Sequence, residues 1–111
     1  MKLLTKEVKK ALPPLYSQEH TADPLVTVKF FDPTGSFTWY AYEGSFVNEN
    51  GVQCAEGEQS VDFLCFGLVD GLEKETGYFS LNELQSVRVR YGLGIERDLH
   101  WKPVPVSTLK K

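Results

Sequence analysis

The segment Val61 to Val69 constrains the fold more than any other part of this chain. Leu64, Phe66 and Leu68 fill one face of it, and Phe63, Cys65 and Val69 fill the other. A strand apolar on both sides must be covered on both sides, which places it in the interior of a sheet. Asp70-Gly71 follows and favours a two-residue hairpin turn. Such a turn sets Val69 opposite Leu72 and Phe63 opposite Tyr78. The return strand, Leu72 to Phe79, carries Glu73, Lys74 and Glu75, as an edge or half-exposed strand does.

The remaining segments supply neighbours for this hairpin. Leu25 to Phe31 alternates Val26, Val28 and Phe30 with Thr27, Lys29 and Phe31, which predicts a strand with one apolar face. Asp32-Pro33-Thr34-Gly35 is a turn sequence. Ser36 to Glu43 returns as a second strand, with Phe37, Trp39 and Ala41 on one side and Thr38, Tyr40 and Tyr42 on the other. Gly44 to Ser60 breaks the alternation and reads as a loop or a small inserted hairpin turning at Asn50-Gly51.

Two short helices frame these strands. Thr5 caps the first, over Lys6 to Leu12, and Pro13-Pro14 ends it near Lys10 or Ala11. Leu15 to Asp23 then reads as an extended connection. Ser80-Leu81-Asn82-Glu83 is a capping box that opens a second helix near 81–88. Ile95 to Trp101 is expected as a last strand, with Ile95, Leu99 and Trp101 facing inward. Lys102-Pro103-Val104-Pro105 is extended and unsuited to mid-sheet. The expected fold is α+β, one domain over 1–111. Its core is an antiparallel sheet of about four to five strands built from hairpins.

Composition agrees with a folded domain, at 41% hydrophobic and 24% charged residues. No apolar run approaches the ~20 residues of a membrane helix, and the start of the chain lacks the pattern of a signal peptide. Two cysteines are too few for a secreted disulfide framework. Cys65 is expected in the core and Cys54 in a polar loop. The expected location is the cytoplasm.

The net charge of −3 hides a segregation. Residues 1–11 and 86–111 hold ten basic and three acidic residues, whereas residues 12–85 hold two basic and twelve acidic. Such asymmetry marks an interaction surface or two ends folded back to neutralise the middle.

Several segments together resemble a known family. They are Lys2-Leu3-Leu4-Thr5 with Leu12-Pro13-Pro14-Leu15, Lys29-Phe30-Phe31-x-Pro33, Trp39-Tyr40, Phe66-Gly67-Leu68-Val69, Gly77-Tyr78-Phe79-Ser80-Leu81-x-Glu83-Leu84, Val87-Arg88 and Ile95-Glu96-Arg97-Asp98-Leu99. The chain is similar over nearly its whole length to the small bacterial proteins with domain of unknown function 2958. The resemblance implies a gene carried on plasmids, integrative elements or phages, beside genes for transfer, replication and evasion of restriction. It implies no activity. The residues around Gly44 to Ser60 are longer than is usual for that family.

No motif declares a chemistry. His20 and His100 stand without a nucleophile elbow, and no Cys-x-x-Cys or His-x-x-x-His pair exists. Gly92-Leu93-Gly94 lacks the lysine of a phosphate loop. No metal or cofactor is expected. The leading expectation is a non-enzymatic interaction module whose partner is a protein of the host or of the mobile element. Its candidate surface residues are Trp39, Tyr40, Tyr42, Glu43, Tyr78, Arg88, Arg90, Glu96, Arg97 and Asp98. A second expectation is nucleic-acid binding, with the Tyr40 and Tyr42 rings stacking on bases and Arg88, Arg90 and Arg97 on phosphates. The acidic balance opposes it. A third is a small hydrolase or nuclease around Glu43, Glu96, Arg97, Asp98 and His100. Arg97 carries the sharpest question, because a part-buried arginine needs a carboxylate. Glu43 is the expected partner.

Overall fold

A computed structural model describes residues 1–111. Helix α1 (Lys6–Ala11) begins where the Thr5 hydroxyl accepts the Val8 N–H. Strands β1 (Leu25–Val26), β2 (Val28–Phe31), β3 (Thr38–Val47), β4 (Asp62–Asp70) and β5 (Lys74–Ser80) follow. Then come α2 (Leu81–Ser86), β6 (Glu96–Arg97) and β7 (Val104–Pro105), with single 3-10 turns at Arg90–Gly92 and Val106–Leu109. Five strands form an antiparallel sheet in the order β5-β4-β3-β2-β6, and β1 pairs with β7 in a separate ribbon. This is an α+β fold. The doubly apolar β4 lies inside the sheet and the charged β5 lies at its edge, as their patterns require.

Both helices cover the same face of the sheet. Leu3, Val8 and Leu12 from the N-terminal segment and Leu81 and Leu84 from α2 pack on Val28, Phe30, Ala41, Phe63, Cys65 and Phe79. The second face is covered by irregular chain. Val106 packs there with Val26, Tyr42 and Leu68, flanked by Tyr40, Phe66, Trp101 and Leu109.

Several expectations from the sequence need correction. The β4–β5 turn is three residues long, so Phe66, not Phe63, faces Tyr78, and Val69 faces Glu75. Gly71 is not in the left-handed conformation that a two-residue Asp-Gly turn needs. A side chain there would strike the Phe37 ring instead, and Leu72 projects from the tip, 98% exposed. The three-residue offset moves Tyr78 to the second face.

The strand expected over 25–31 breaks at Thr27. Val26 therefore joins the second face while Val28 and Phe30 join the first. Strand β3 continues to Val47, so the break in the strand pattern starts beyond it and not at Gly44. There Asn48 Oδ1 accepts the N–H groups of Asn50 and Val52, and Gly51 takes φ +76°. The last strand holds only Glu96–Arg97, because Asp98 Oδ1 accepts the His100 N–H and turns the chain. Leu99 is consequently exposed, and Trp101 lands on the second face. Leu15 to Asp23 is a series of turns rather than an extended connection.

The capping box forms in half. Ser80 Oγ accepts the Glu83 N–H, and Asp62 binds both the Ser80 hydroxyl and the Asn82 N–H. No side-chain hydrogen bond returns from Glu83. Gly67 lies against the Tyr40 carbonyl, which any side chain at that position would strike.

Candidate functional site

A concavity of the second face lies between the turns at 15–22 and strands β3, β4 and β5, with a volume of about 350 Å³. A β-bulge in β3 builds its floor. Ala41 pairs with Gly67 and Glu43 with Phe66, leaving Tyr42 as the extra residue. Tyr42 and Glu43 are neighbours in sequence, yet both line this cleft. Strict alternation would send Glu43 into the helix-covered apolar face.

Glu43 is only 4% exposed, and both of its oxygens are engaged. Oε1 accepts the Tyr16 N–H at 2.9 Å and Oε2 the Gln18 N–H at 2.8 Å. These bonds hold Tyr16 at φ +69°, a left-handed conformation costing a non-glycine residue about 1–2 kcal/mol. Ser45 adds a third stitch by accepting the Leu15 N–H at 2.9 Å.

An aromatic series runs along the cleft. The Tyr42 and Phe66 centroids are 5.6 Å apart, Phe66 and Tyr78 4.7 Å, and Tyr78 and Tyr16 6.5 Å. The floor ring of Tyr42 is buried, while Tyr16 and Tyr78 are about half exposed at the mouth. Burial raises the Tyr42 hydroxyl pKa above its ordinary value, and the Glu43 charge adds to the effect. The Tyr78 pKa also rises, through burial, the adjacent Tyr16 hydroxyl, and the charges of Glu43 and Glu19. Two carboxylates, those of Glu43 and Glu19, thus belong to the lining of the cleft. Lys110, near the chain end, stands at its rim.

The ten candidate residues do not converge on one surface. Tyr42, Glu43 and Tyr78 meet in this cleft. Tyr40 shares the face but packs against Trp101, with centroids 5.7 Å apart. Trp39 belongs to the first face and stacks on Phe37 at 5.7 Å. Glu96, Arg97, Asp98 and His100 line another hollow of about 340 Å³, beside β6. Arg88 Nη1 donates to the carbonyls of Gln85 and Val87 at the end of α2. The exposed Arg90 guanidinium lies 5.9 Å from the Tyr91 ring centroid.

The expected bridge between Arg97 and Glu43 does not form. Arg97 pairs with Phe30 and lies beside α1, whereas Glu43 is turned to the second face. No carboxylate comes within 4.0 Å of Arg97, and its Nε is buried without a protein partner, as is Thr27 Oγ1 in the same small cavity. Asp98 instead faces Lys29, with Nζ 3.8 Å from Oδ2. The two chain ends neutralise the acidic middle only sparsely, the closest ion pair being Lys9 with Glu56 at 3.0 Å.

No group of three His, Cys, Asp or Glu side chains stands close enough to share an ion. The Cys65 thiol is buried, and burial pushes its pKa far above the usual thiol range, so it is inert. Cys54 is half-buried. No helix is long and apolar enough to cross a membrane.

Tyr16, Glu19, Phe66 and Lys110 are cleft residues that sequence reasoning missed. Phe66 carried a signal in its alternation, but the turn length decided that it would meet Tyr78 rather than Glu75. Tyr16, Glu19 and Lys110 carry no local signal.

A family model described as a protein of unknown function, DUF2958, matches residues 3–109 of this chain. No curated protein and no solved structure matches it.

Proposed function

The chain belongs to the DUF2958 family, and from its second sheet face we propose that it is a non-enzymatic binding module that docks an extended, basic segment of a partner protein. One observation carries this reading. Edge strand β5 presents seven residues beside the cleft, with β4 on one side of it and no strand on the other. An unpaired edge is a template for an added strand. The charge beside it selects the partner. Glu73 and Glu75 are exposed on the edge segment and Glu19 and Glu43 line the cleft, while Lys74 is held by the carbonyls of Leu109 and Lys111. A basic strand complements this border. The family resemblance points to a partner from the host or from the mobile element that carries the gene.

The other readings have less support. For nucleic-acid stacking, Tyr42 is 8% exposed and Tyr40 is covered by Trp101, so neither offers a free face. For a hydrolase, Glu43 stands apart from Glu96, Arg97, Asp98 and His100 and is bound to backbone N–H groups.

The test is an NMR titration of the full chain with synthetic peptides of alternating lysine and valine. Expected are amide shifts and slowed exchange along 74–80, weakened by added salt and by the double variant Glu73→Lys/Glu75→Lys. Peptides that shift only other surfaces, or bind the double variant equally well, overturn the proposal.

A further inference from the structure

We infer that the cleft beside β5 is a pocket for an organic cation, the ammonium or guanidinium group of a lysine or arginine side chain on the docked segment. This deepens the edge-docking reading and rests on it for the identity of the ligand.

Three features of the cleft point to a cation. First, it is walled by aromatic rings. Tyr42 and Phe66 form the floor, and Tyr78 and Tyr16 meet edge to face at the mouth, with planes at 65°. Ring faces attract a cation through their quadrupole, most strongly where water is excluded. Second, the negative charge is fixed. Glu43 is held by two backbone N–H groups, so it cannot swing out to solvent, and its charge reaches both Tyr42 and Tyr78. Glu19 adds a second carboxylate to the lining. Third, the carboxylates of the cleft are left without a fixed counter-charge, since Glu43, Glu19 and the lining residue Lys110 take part in no ion pair.

Size and backbone agree. A volume of about 350 Å³ is at the lower end for small-ligand pockets, which run from about 300 Å³. It suits one long side chain better than a folded peptide. Glu43 holds the strained backbone of Tyr16. Strain of this kind gathers at ligand clamps, and here it sets the Tyr16 ring across from Tyr78.

The experiment follows tyrosine ring resonances while Nα-acetyl-lysine methylamide is added to the full chain. Its uncharged counterpart, Nα-acetyl-norleucine methylamide, is titrated in parallel. Expected are shifts at Tyr16 and Tyr78 with the lysine compound and little response to the norleucine one. Tyr78→Phe keeps the ring and retains binding, whereas Tyr78→Leu weakens it about fivefold or more. Lys110→Gln removes a positive charge from the lining and strengthens binding. Equal binding of both compounds, or unmoved rings at tens of millimolar, overturns the inference. Tight binding of free putrescine without the lysine compound overturns its side-chain source. If the lysine compound binds while no peptide shifts β5, the cation pocket stands and edge docking falls. If peptides pair with β5 while the rings stay unmoved, edge docking stands and the cation pocket falls.

Discussion

The two faces of this sheet are covered by different materials. On the first, α1 and α2 lay aliphatic side chains over Phe30, Phe63 and Phe79, and the contact is close-packed and mostly apolar. On the second, the cover is turns and 3-10 chain, held by directed bonds. Glu43 grips Tyr16 and Gln18, Ser45 grips Leu15, Asp23 grips Ser107, and the Trp101 indole N–H donates to the Val26 carbonyl at 3.0 Å. The buried clusters number twelve residues against four, so apolar burial on the first face carries the stability. A cover pinned at separate points leaves space between the pins. That space is the cleft, and it explains why the candidate site lies opposite the helices.

The contrast breaks or sharpens under three measurements. Phe30→Ala should have the largest effect, because Phe30 is fully buried on the first face. A loss of about 3–5 kcal/mol of global stability is expected by chemical denaturation. Glu43→Ala should cost less, about 1–3 kcal/mol, through the two N–H groups it abandons. Its signature is local: amide exchange should quicken over residues 15–22 while the β3–β4 ladder stays protected. A global loss matching that of Phe30→Ala would erase the distinction between the faces.

The smallest effect concerns acid. Asp23 has its pKa lowered by the Ser107 hydroxyl and the Ser107 N–H. A depressed carboxyl contributes stability above its unfolded pKa and loses it as pH falls through the folded one. Protection of the Ser107 amide should therefore persist at neutral pH and fade only below the ordinary aspartate range of about 4. Asp23→Asn should abolish that pH dependence. Fading in the neutral range would assign the pin to another group.

What was legible in the sequence was what short-range pattern encodes. Thr5 and Pro13-Pro14 bound α1, the doubly apolar run placed β4 inside, and Glu73 to Glu75 marked the edge. The candidate site was legible only in pieces. Tyr42 and Tyr78 could be chosen as aromatic residues, but their meeting depended on the length of one turn. Phe37, from a distant segment, lies over Gly71 in that turn, a contact that local pattern does not show. The Arg97 question turned on the bulge, since period-two reasoning cannot show which strand gains a residue. Nor does local pattern show a carboxylate reaching the N–H of a residue 27 positions away.

The bulge at Tyr42 has one more consequence. Strand β3 parses like a message with one inserted letter: even-numbered residues read toward the cleft up to Tyr42, and odd-numbered ones from Glu43 onward. The strand therefore contains two reading frames. Striking out Tyr42 is the edit that restores a single frame, because Ala41 and Glu43 would then face Gly67 and Phe66 in unbroken alternation. Every partner beyond the bulge would keep its place, and only the floor of the cleft would be lost.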